Sequence, residues 1–280
     1  EGLKRLEYRG YDSAGIGVVR DSKIEITKIK GKVAELQAAI DKSGIDSTIG
    51  IGHTRWATHG EPNEINAHPH ANNDNSLVLI HNGIIENYST LKTGLKKLGY
   101  TFKSATDTEV LSNLFDTYLK EGYTLFEAVR RGLNEVEGTY GIAVLSTAEP
   151  DRIIAAKKGS PLVIGIGVGE NFVASDVTAI LQHTKQVIYM EDGEIAEVFK
   201  DHYLTKMIAN EEEVNKVVHQ IEMTLDEIDK GGYPTFMLKE IMEQPESLKN
   251  SIRGRLLMDT GDVKLGGLEN VLDHLLYVKR

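Results

Sequence analysis

The order in which apolar periodicities follow one another limits the fold of this chain more than any other feature of its sequence. Short β-branched runs bounded by Gly, Asp or Asn come first, at Ala14 to Val19, Lys23 to Lys30, Thr48 to His53 and Leu77 to Asn82. A block of helical spacings follows over Ile85 to Leu98, Asp107 to Glu121 and Leu125 to Val136. The second of these sets Val110, Leu111, Leu114, Phe115 and Tyr118 at helical spacing behind Thr106 as an N-cap. Strand patterns then return at 140–147, 152–158, 162–167, 171–175, 186–190 and 194–199. This succession is not the strict alternation of a parallel βα fold. It predicts an α+β protein, a layered sandwich of antiparallel sheets with helices outside.

The remainder is more helical and more acidic. From Glu191 to Asp229 there are twelve acids against three bases, with Ile221, Leu225 and Ile228 as an apolar stripe, which predicts an acidic surface helix. Gly231-Gly232-Tyr233-Pro234 ends it. A further helix is expected from Thr235 to about Ile252, kinked or divided at Pro245, and a last one from Leu268 to Val278. The expected division is a domain over 1–230 and a helical connector over 231–280. With 42 acids against 32 bases, a net charge of −10, a phosphate-tracking nucleic-acid surface is not expected, and no apolar stretch is long enough for a membrane-spanning helix. The absence of cysteine excludes a thiol nucleophile within these residues.

Four polar clusters sit at strand ends or helix starts: Tyr8 to Gly15, His53 to Gly60, His81-Asn82-Gly83, and Ser104 to Glu109. In the second, Arg55 offers a planar fork for a carboxylate and Trp56 a flat lid; the other reading is a core tryptophan with the arginine stacked on it. Asn82-Gly83 is either a simple turn or an oxyanion hole, in which an amide NH2 and a glycine N–H converge on a developing negative oxygen. Asp107 is either a first-turn acid favoured by the helix dipole or the receiver of an ammonium. Arg55 and Asp107 together would hold an α-amino acid by its zwitterionic end. Five histidines lie between 53 and 81, so a metal set built on His68 and His70 with His53, His59 or Asp107 has to be weighed. Without an HxxxH or HExxH helix to frame them, supporting or turn roles are favoured over metal ligation.

These residues carry a resemblance. LEYRGYDSAG (6–15), HTRWATHG (53–60), NAHPH (66–70), HNGIIENY (81–88), TDTEV (106–110), ASD (174–176) and KEIMEQP (239–245) resemble, in order and approximate spacing, the glutaminase domains of the glutamine:fructose-6-phosphate amidotransferases (glucosamine-6-phosphate synthases). These are class II glutamine amidotransferases. The resemblance implies the N-terminal-nucleophile hydrolase fold, a four-layer αββα sandwich. It implies that Arg55 binds the α-carboxylate of L-glutamine and Asp107 its α-amino group, with Trp56, Thr58 and His59 completing the substrate loop. Asn82 and Gly83 would form the oxyanion hole, and Arg9 and Asp12 would organise the nucleophile's neighbourhood. A thiol attacks the side-chain amide, ammonia leaves, and a glutamyl thioester is hydrolysed. No cofactor or metal is implied. The implied partner is an isomerase domain of the same protein, which binds fructose 6-phosphate, within a cytoplasmic homo-oligomer.

The chain departs from that family at the nucleophile, an N-terminal Cys that would lie upstream of Glu1. Glu1 to Leu6 reads as the interior of a helix, and Lys279-Arg280 carries no stop signal, so a fragment is expected, inactive as it stands. The alternative is a glutamine-binding module that has no nucleophile.

Overall fold

The structure, a computed structural model, describes residues 1–56, 60–222, 233–252, 256–257 and 262–263. These belong to two units, Glu1–Glu222 and Met223–Arg280. The first unit opens with helix α1 (Gly2–Leu6) and a hairpin closed by a two-residue turn. Asp21 and Ser22 both take positive φ (49° and 60°), the turn geometry whose twist matches that of the flanking strands. Strand β1 (Ser13–Arg20) therefore runs antiparallel to β2 (Lys23–Lys30), and β3 (Gly50–Arg55) pairs along its other side with Arg55 opposite Ser13. Between β2 and β3 lies α2 (Val33–Ser43), ended by Gly44 in the left-handed conformation.

The central sheet has six strands, assembled from β4 (His70–Ala71), β5 (Leu77–Ile85), β6 (Gly138–Ser146), β7 (Arg152–Lys158), Glu194–Phe199 and Tyr203–Met207. A four-stranded sheet is built from β8 (Val163–Ile166), β9 (Asn171–Ala174), β10 (Gln186–Tyr189) and His219–Gln220, with β9 at one edge. Helices α3 (Tyr88–Lys97), α4 (Glu109–Lys120) and α5 (Leu125–Asn134) cover one face of the central sheet. Leu95, Leu111, Phe115, Val129 and Leu133 bury there against Leu77, Leu79, Ile142 and Val144. Truncating the fully buried Phe115 to Ala is expected to cost about 3–5 kcal/mol.

The other face of the central sheet meets two separate sheets. Val78, Ala143 and Leu145 pack on Val19 and Ile51 of the three-stranded sheet, while Ala155, Ala196 and Val198 pack with Ile164, Ile188 and Met190. Outside these, α2 and α1 lay Val33, Leu36 and Leu3 on Ala14 and Ile16, and Leu6 joins the cluster around Val163 and Val187. The layers therefore read helix, sheet, sheet, helix, with the second sheet layer in two pieces. Between the pieces runs a cavity of about 620 Å³, walled by Gly50 to Thr54 of β3 on one side and Phe172 to Ala174 of β9 on the other. Ile80 to Asn82 and Gly141 to Ala143 also line it, as do Leu3 and Leu6 of α1. Among the described residues, β3 and β9 are both edge strands with no strand between them.

Several expectations need correction. Asn82 and Gly83 do not turn; they lie within β5, opposite Gly141 and Tyr140 of β6. Thr106 does not cap α4, because its hydroxyl lies 2.9 Å from Ser104 Oγ and 3.1 Å from His70 Nε2, and Thr108 holds the N-cap position without a side-chain cap. The acidic tract is not one surface helix: it holds the strands at 203–207 and 219–220, since Tyr203, Thr205 and Met207 alternate along a sheet edge that pairs with 194–198. Leu225 and Ile228 lie outside the described residues, as does 268–278. Helix α2 was not anticipated. In the second unit, α6 (Phe236–Ile252) contains Pro245 within one helical segment, so the proline does not divide it.

Candidate active site

The site begins with the chain between α3 and α4. Glu109 in the first turn of α4 accepts from the backbone N–H groups of Lys103 (2.8 Å) and Ser104 (2.6 Å) and from Ser104 Oγ (2.7 Å), which closes the 103–109 loop on itself. Asp107 is thereby buried beside β5, where its Oδ2 accepts from Ile85 N at 2.8 Å. The same strand presents Asn82 and Gly83. Gly83 is required there for a plain steric reason: its φ is 136°, and a Cβ would lie 2.1 Å from Thr139 O.

The opposite wall comes from β3. Arg55, its last residue, is buried, and its Nη2 donates to Gly60 O at 3.2 Å. Asn66 fixes that neighbourhood to the Asp107 loop, donating from Nδ2 to Glu61 O (2.9 Å) and accepting at Oδ1 from Ala105 N (2.9 Å). Burial lowers the pKa of Arg55 below its ordinary value, opposed by the carboxylates of Asp12 and Asp107, which favour its charge. Asp12 arrives because β1 pairs with β3: its N–H donates to Arg55 O at 3.2 Å, and its Oδ1 accepts from Ser13 Oγ at 2.8 Å. Trp56 is 61% exposed and leans on Tyr11 with ring centroids 5.4 Å apart, so the core reading of the tryptophan is overturned. Arg9 does not approach Asp12 as an ion pair; it pairs with Asp176 at 3.0 Å, tying the turn before β1 to the segment after β9.

The histidines form a buried polar seam behind this pocket. His81 Nε2 donates to the carbonyl of Thr139 (3.2 Å), so its neutral ring accepts at Nδ1 from Thr108 Oγ1 (3.0 Å). The Thr108 oxygen lies 3.0 Å from His68 Nε2, and His53 Nε2 lies 2.8 Å from Asn82 Oδ1. Burial depresses all four pKa values: His53 to about 4, His68 and His70 well below the ordinary range, and His81 in the same direction. Among the described residues, no three His, Asp or Glu side chains converge as a metal-binding group. Each ring makes a hydrogen bond through at least one nitrogen, while Nδ1 of His53 and of His68 has no partner among the described residues.

Arg9, Arg55, Trp56, Asn82, Gly83 and Asp107 all line one polar pocket of about 170 Å³. That is well below the roughly 300–1,000 Å³ of sites for drug-sized ligands. It shares Arg9, His53, Thr54, His81 and Asn82 with the cavity between the sheets, so the two meet at the oxygen-binding candidates. Thr58 and His59 lie outside the described residues.

Residues 14–235 match the glutamine amidotransferase domain. The chain belongs to that family. It is 51% identical over 284 residues to a glutamine–fructose-6-phosphate aminotransferase (isomerizing) of Chlorobaculum tepidum, covering 100% of this chain and 46% of that one. The corresponding protein of Thermococcus kodakarensis is 48% identical, covering 91% and 42%. The chain thus spans about half the length of the relatives it matches. Among solved structures, glutamine phosphoribosylpyrophosphate amidotransferase from B. subtilis, complexed with ADP and GMP, aligns with a TM-score of 0.62 at 28% identity, over 75% of this chain and 46% of that one. A class II glutamine amidotransferase domain protein from Silicibacter pomeroyi aligns at 0.51 and 15% identity, a likeness of fold. The architecture is the antiparallel α+β sandwich of the N-terminal-nucleophile amidotransferases.

Sequence reasoning missed Asn66, the Arg9–Asp176 pair as a contact, and the histidine–threonine seam. Each left a signal in the family-like segments: Asn66, His68 and His70 lie in NAHPH, Arg9 in LEYRGYDSAG, Asp176 in ASD, His81 in HNG, and Thr106 and Thr108 in TDT.

Proposed function

We propose that this chain is the glutamine-hydrolysing part of an isomerizing glutamine–fructose-6-phosphate aminotransferase, forming glutamate and ammonia for amination of the sugar phosphate elsewhere in the protein. The observation that carries this reading is the placement of a buried arginine and a buried aspartate in one small pocket with Asn82 and Gly83. Arg55 takes the α-carboxylate and Asp107 the α-ammonium, through Oδ1, whose contact with Thr108 Oγ1 is long at 3.4 Å, while Oδ2 is held by Ile85 N at 2.8 Å. The side-chain amide then extends toward Asn82 and Gly83, which hold the oxygen as its charge develops. Trp56, Thr58 and His59 belong to the loop that covers the ligand, while Arg9 and Asp12 arrange the approach to it.

The attacking thiol is supplied from outside these 280 residues, which contain no cysteine. An extended segment along the cavity between β3 and β9 would pair with two free edges and end where the cavity meets the pocket, at Arg9, His53 and Asn82. Its thiolate adds to the amide carbon, ammonia departs with a transferred proton, and water cleaves the thioester to release glutamate. In this reading residues 1–230 form the glutaminase domain and 231–280 the connector to the sugar-binding part. Among the described residues no helix is long and apolar enough to cross a membrane.

The test is an assay of glutamate release from L-glutamine by the protein carrying this chain together with its preceding residues, against a variant whose candidate thiol is changed to Ala. Activity in the first and none in the second is expected. A folded protein that binds glutamine and never hydrolyses it would support a binding module instead.

A further inference from the structure

The side-chain amide of Asn82 has two unlike ends. An NH2 turned to the pocket attracts an oxyanion; the carbonyl oxygen turned there repels one. The group that decides between them sits in the other sheet layer. His53, on β3, places Nε2 at 2.8 Å from Asn82 Oδ1, bridging from the three-stranded sheet to β5 of the central one.

The protonation of that ring is fixed by its surroundings. His53 is half-buried, and desolvation of its ring lowers its pKa to about 4, so at physiological pH it is neutral and carries one ring hydrogen. Its Nδ1 has no hydrogen-bond partner among the described residues. A hydrogen on Nδ1 would be a buried donor without an acceptor, which is costlier than a buried acceptor left without a donor. A hydrogen on Nε2 meets Asn82 Oδ1 directly. The ring plane is also held from behind, by His68 at a centroid distance of 4.4 Å, itself fixed through Thr108.

We infer that His53 is a positioning residue, whose Nε2–H holds the amide oxygen of Asn82 and so turns the amide NH2 into the pocket beside Gly83. The inference rests on the oxyanion role proposed for Asn82. It makes β3 a contributor to charge stabilisation as well as to ligand binding through Arg55. The tilted contact with His68 and the Thr108 hydroxyl make His53 orientation a property of the histidine seam.

The experiment compares wild type, N82A, H53F and H53Q in the glutamine-hydrolysing full-length protein, with kcat, KM for glutamine and thermal midpoint measured for each. Glutamine carries an N–H donor near the place of Nε2, whereas phenylalanine fills the space without one. H53F is expected to lower kcat about 100-fold, the scale of a lost oxyanion donor, with KM within about threefold. H53Q is expected to recover at least about tenfold of that loss. Wild-type kcat in H53F beside an impaired N82A would overturn the inference while leaving the proposed function standing. Equal loss in H53F and H53Q would also overturn it, because the donor would then be irrelevant. Wild-type kcat in N82A would remove the oxyanion reading and this inference with it. Should H53F fail to fold, 15N NMR of histidine-labelled wild type decides: Nε2 protonated and Nδ1 bare is expected for His53, and an Nδ1–H tautomer contradicts it.

Discussion

The two walls of the pocket are built to different standards of redundancy. On the central-sheet side, Asp107 and Gly83 are locked by contacts that also hold the fold: Ile85 N on Asp107, Thr139 O against Gly83, and the three donors gathered by Glu109. On the β3 side, Trp56 is largely exposed, and Arg55 is steered by Gly60 O and by nearby carboxylates. The difference teaches that substitutions on the first wall should damage stability and ligand handling together. On the second wall they should damage ligand handling alone.

The sharpest break in that comparison is expected from Gly83→Ala. A Cβ against Thr139 O at positive φ forces β5 away from β6, and a loss of about 3–5 kcal/mol, seen as a collapsed denaturation midpoint, is the expected result. The histidine seam between the walls gives a pH counterpart. Each ring is neutral in the fold, while in the unfolded chain it takes up a proton below about 6.5, so stability falls as pH drops from 6.5 toward the folded value of about 4 for His53. The slope reaches about 1.4 kcal/mol per pH unit for each such histidine, and urea denaturation across that range measures it.

Asp107→Ala removes a ligand contact and the acceptor of a buried backbone N–H. It should raise KM for glutamine about 100-fold and cost about 1–3 kcal/mol of stability. Arg55→Ala should match it in KM while costing under about 1 kcal/mol of fold, so equal destabilisation by the two variants would erase the contrast between the walls. Trp56→Ala is the smallest expected effect: a stability change within about 0.5 kcal/mol, because the ring is largely in solvent, and a KM rise of a few-fold.

How far the sequence disclosed this arrangement differs between the walls in the same way. The block order of strands and helices was legible because β-branched runs and helical spacings are local signals, and the HTRWATHG and TDTEV motifs pointed to Arg55 and Asp107, two of the three charged residues lining the pocket. Helix α2 was overlooked although Val33, Leu36 and Ile40 repeat at helical spacing ahead of Gly44, a pattern weakened by flanking strands. The division of the second sheet layer could not be read at all. Among the described residues β3 pairs with β1 and β9 with β8, and that these two edges come to face each other across a cavity, more than a hundred residues apart in sequence, has no local signal. The role of Thr106 was misread for a similar reason: a Thr before a helix is a local cap signal, but His70, distant in sequence, claims its hydroxyl. Asn82-Gly83 reads locally as a turn more readily than as an oxyanion hole, and the pairing with Gly141 and Tyr140 places it inside a strand.

The measurement closest to the central claim is calorimetric binding, in the full-length protein with its thiol changed to Ala, of L-glutamine and of two analogues lacking either the α-ammonium or the α-carboxylate. Wild-type sites should bind either analogue at least about tenfold more weakly than glutamine. Asp107→Ala should then weaken only ligands that carry the ammonium, and Arg55→Ala only those that carry the carboxylate. If each substitution weakened all three ligands alike, the two residues would not divide the zwitterion between them, and the assignment of this pocket would be wrong.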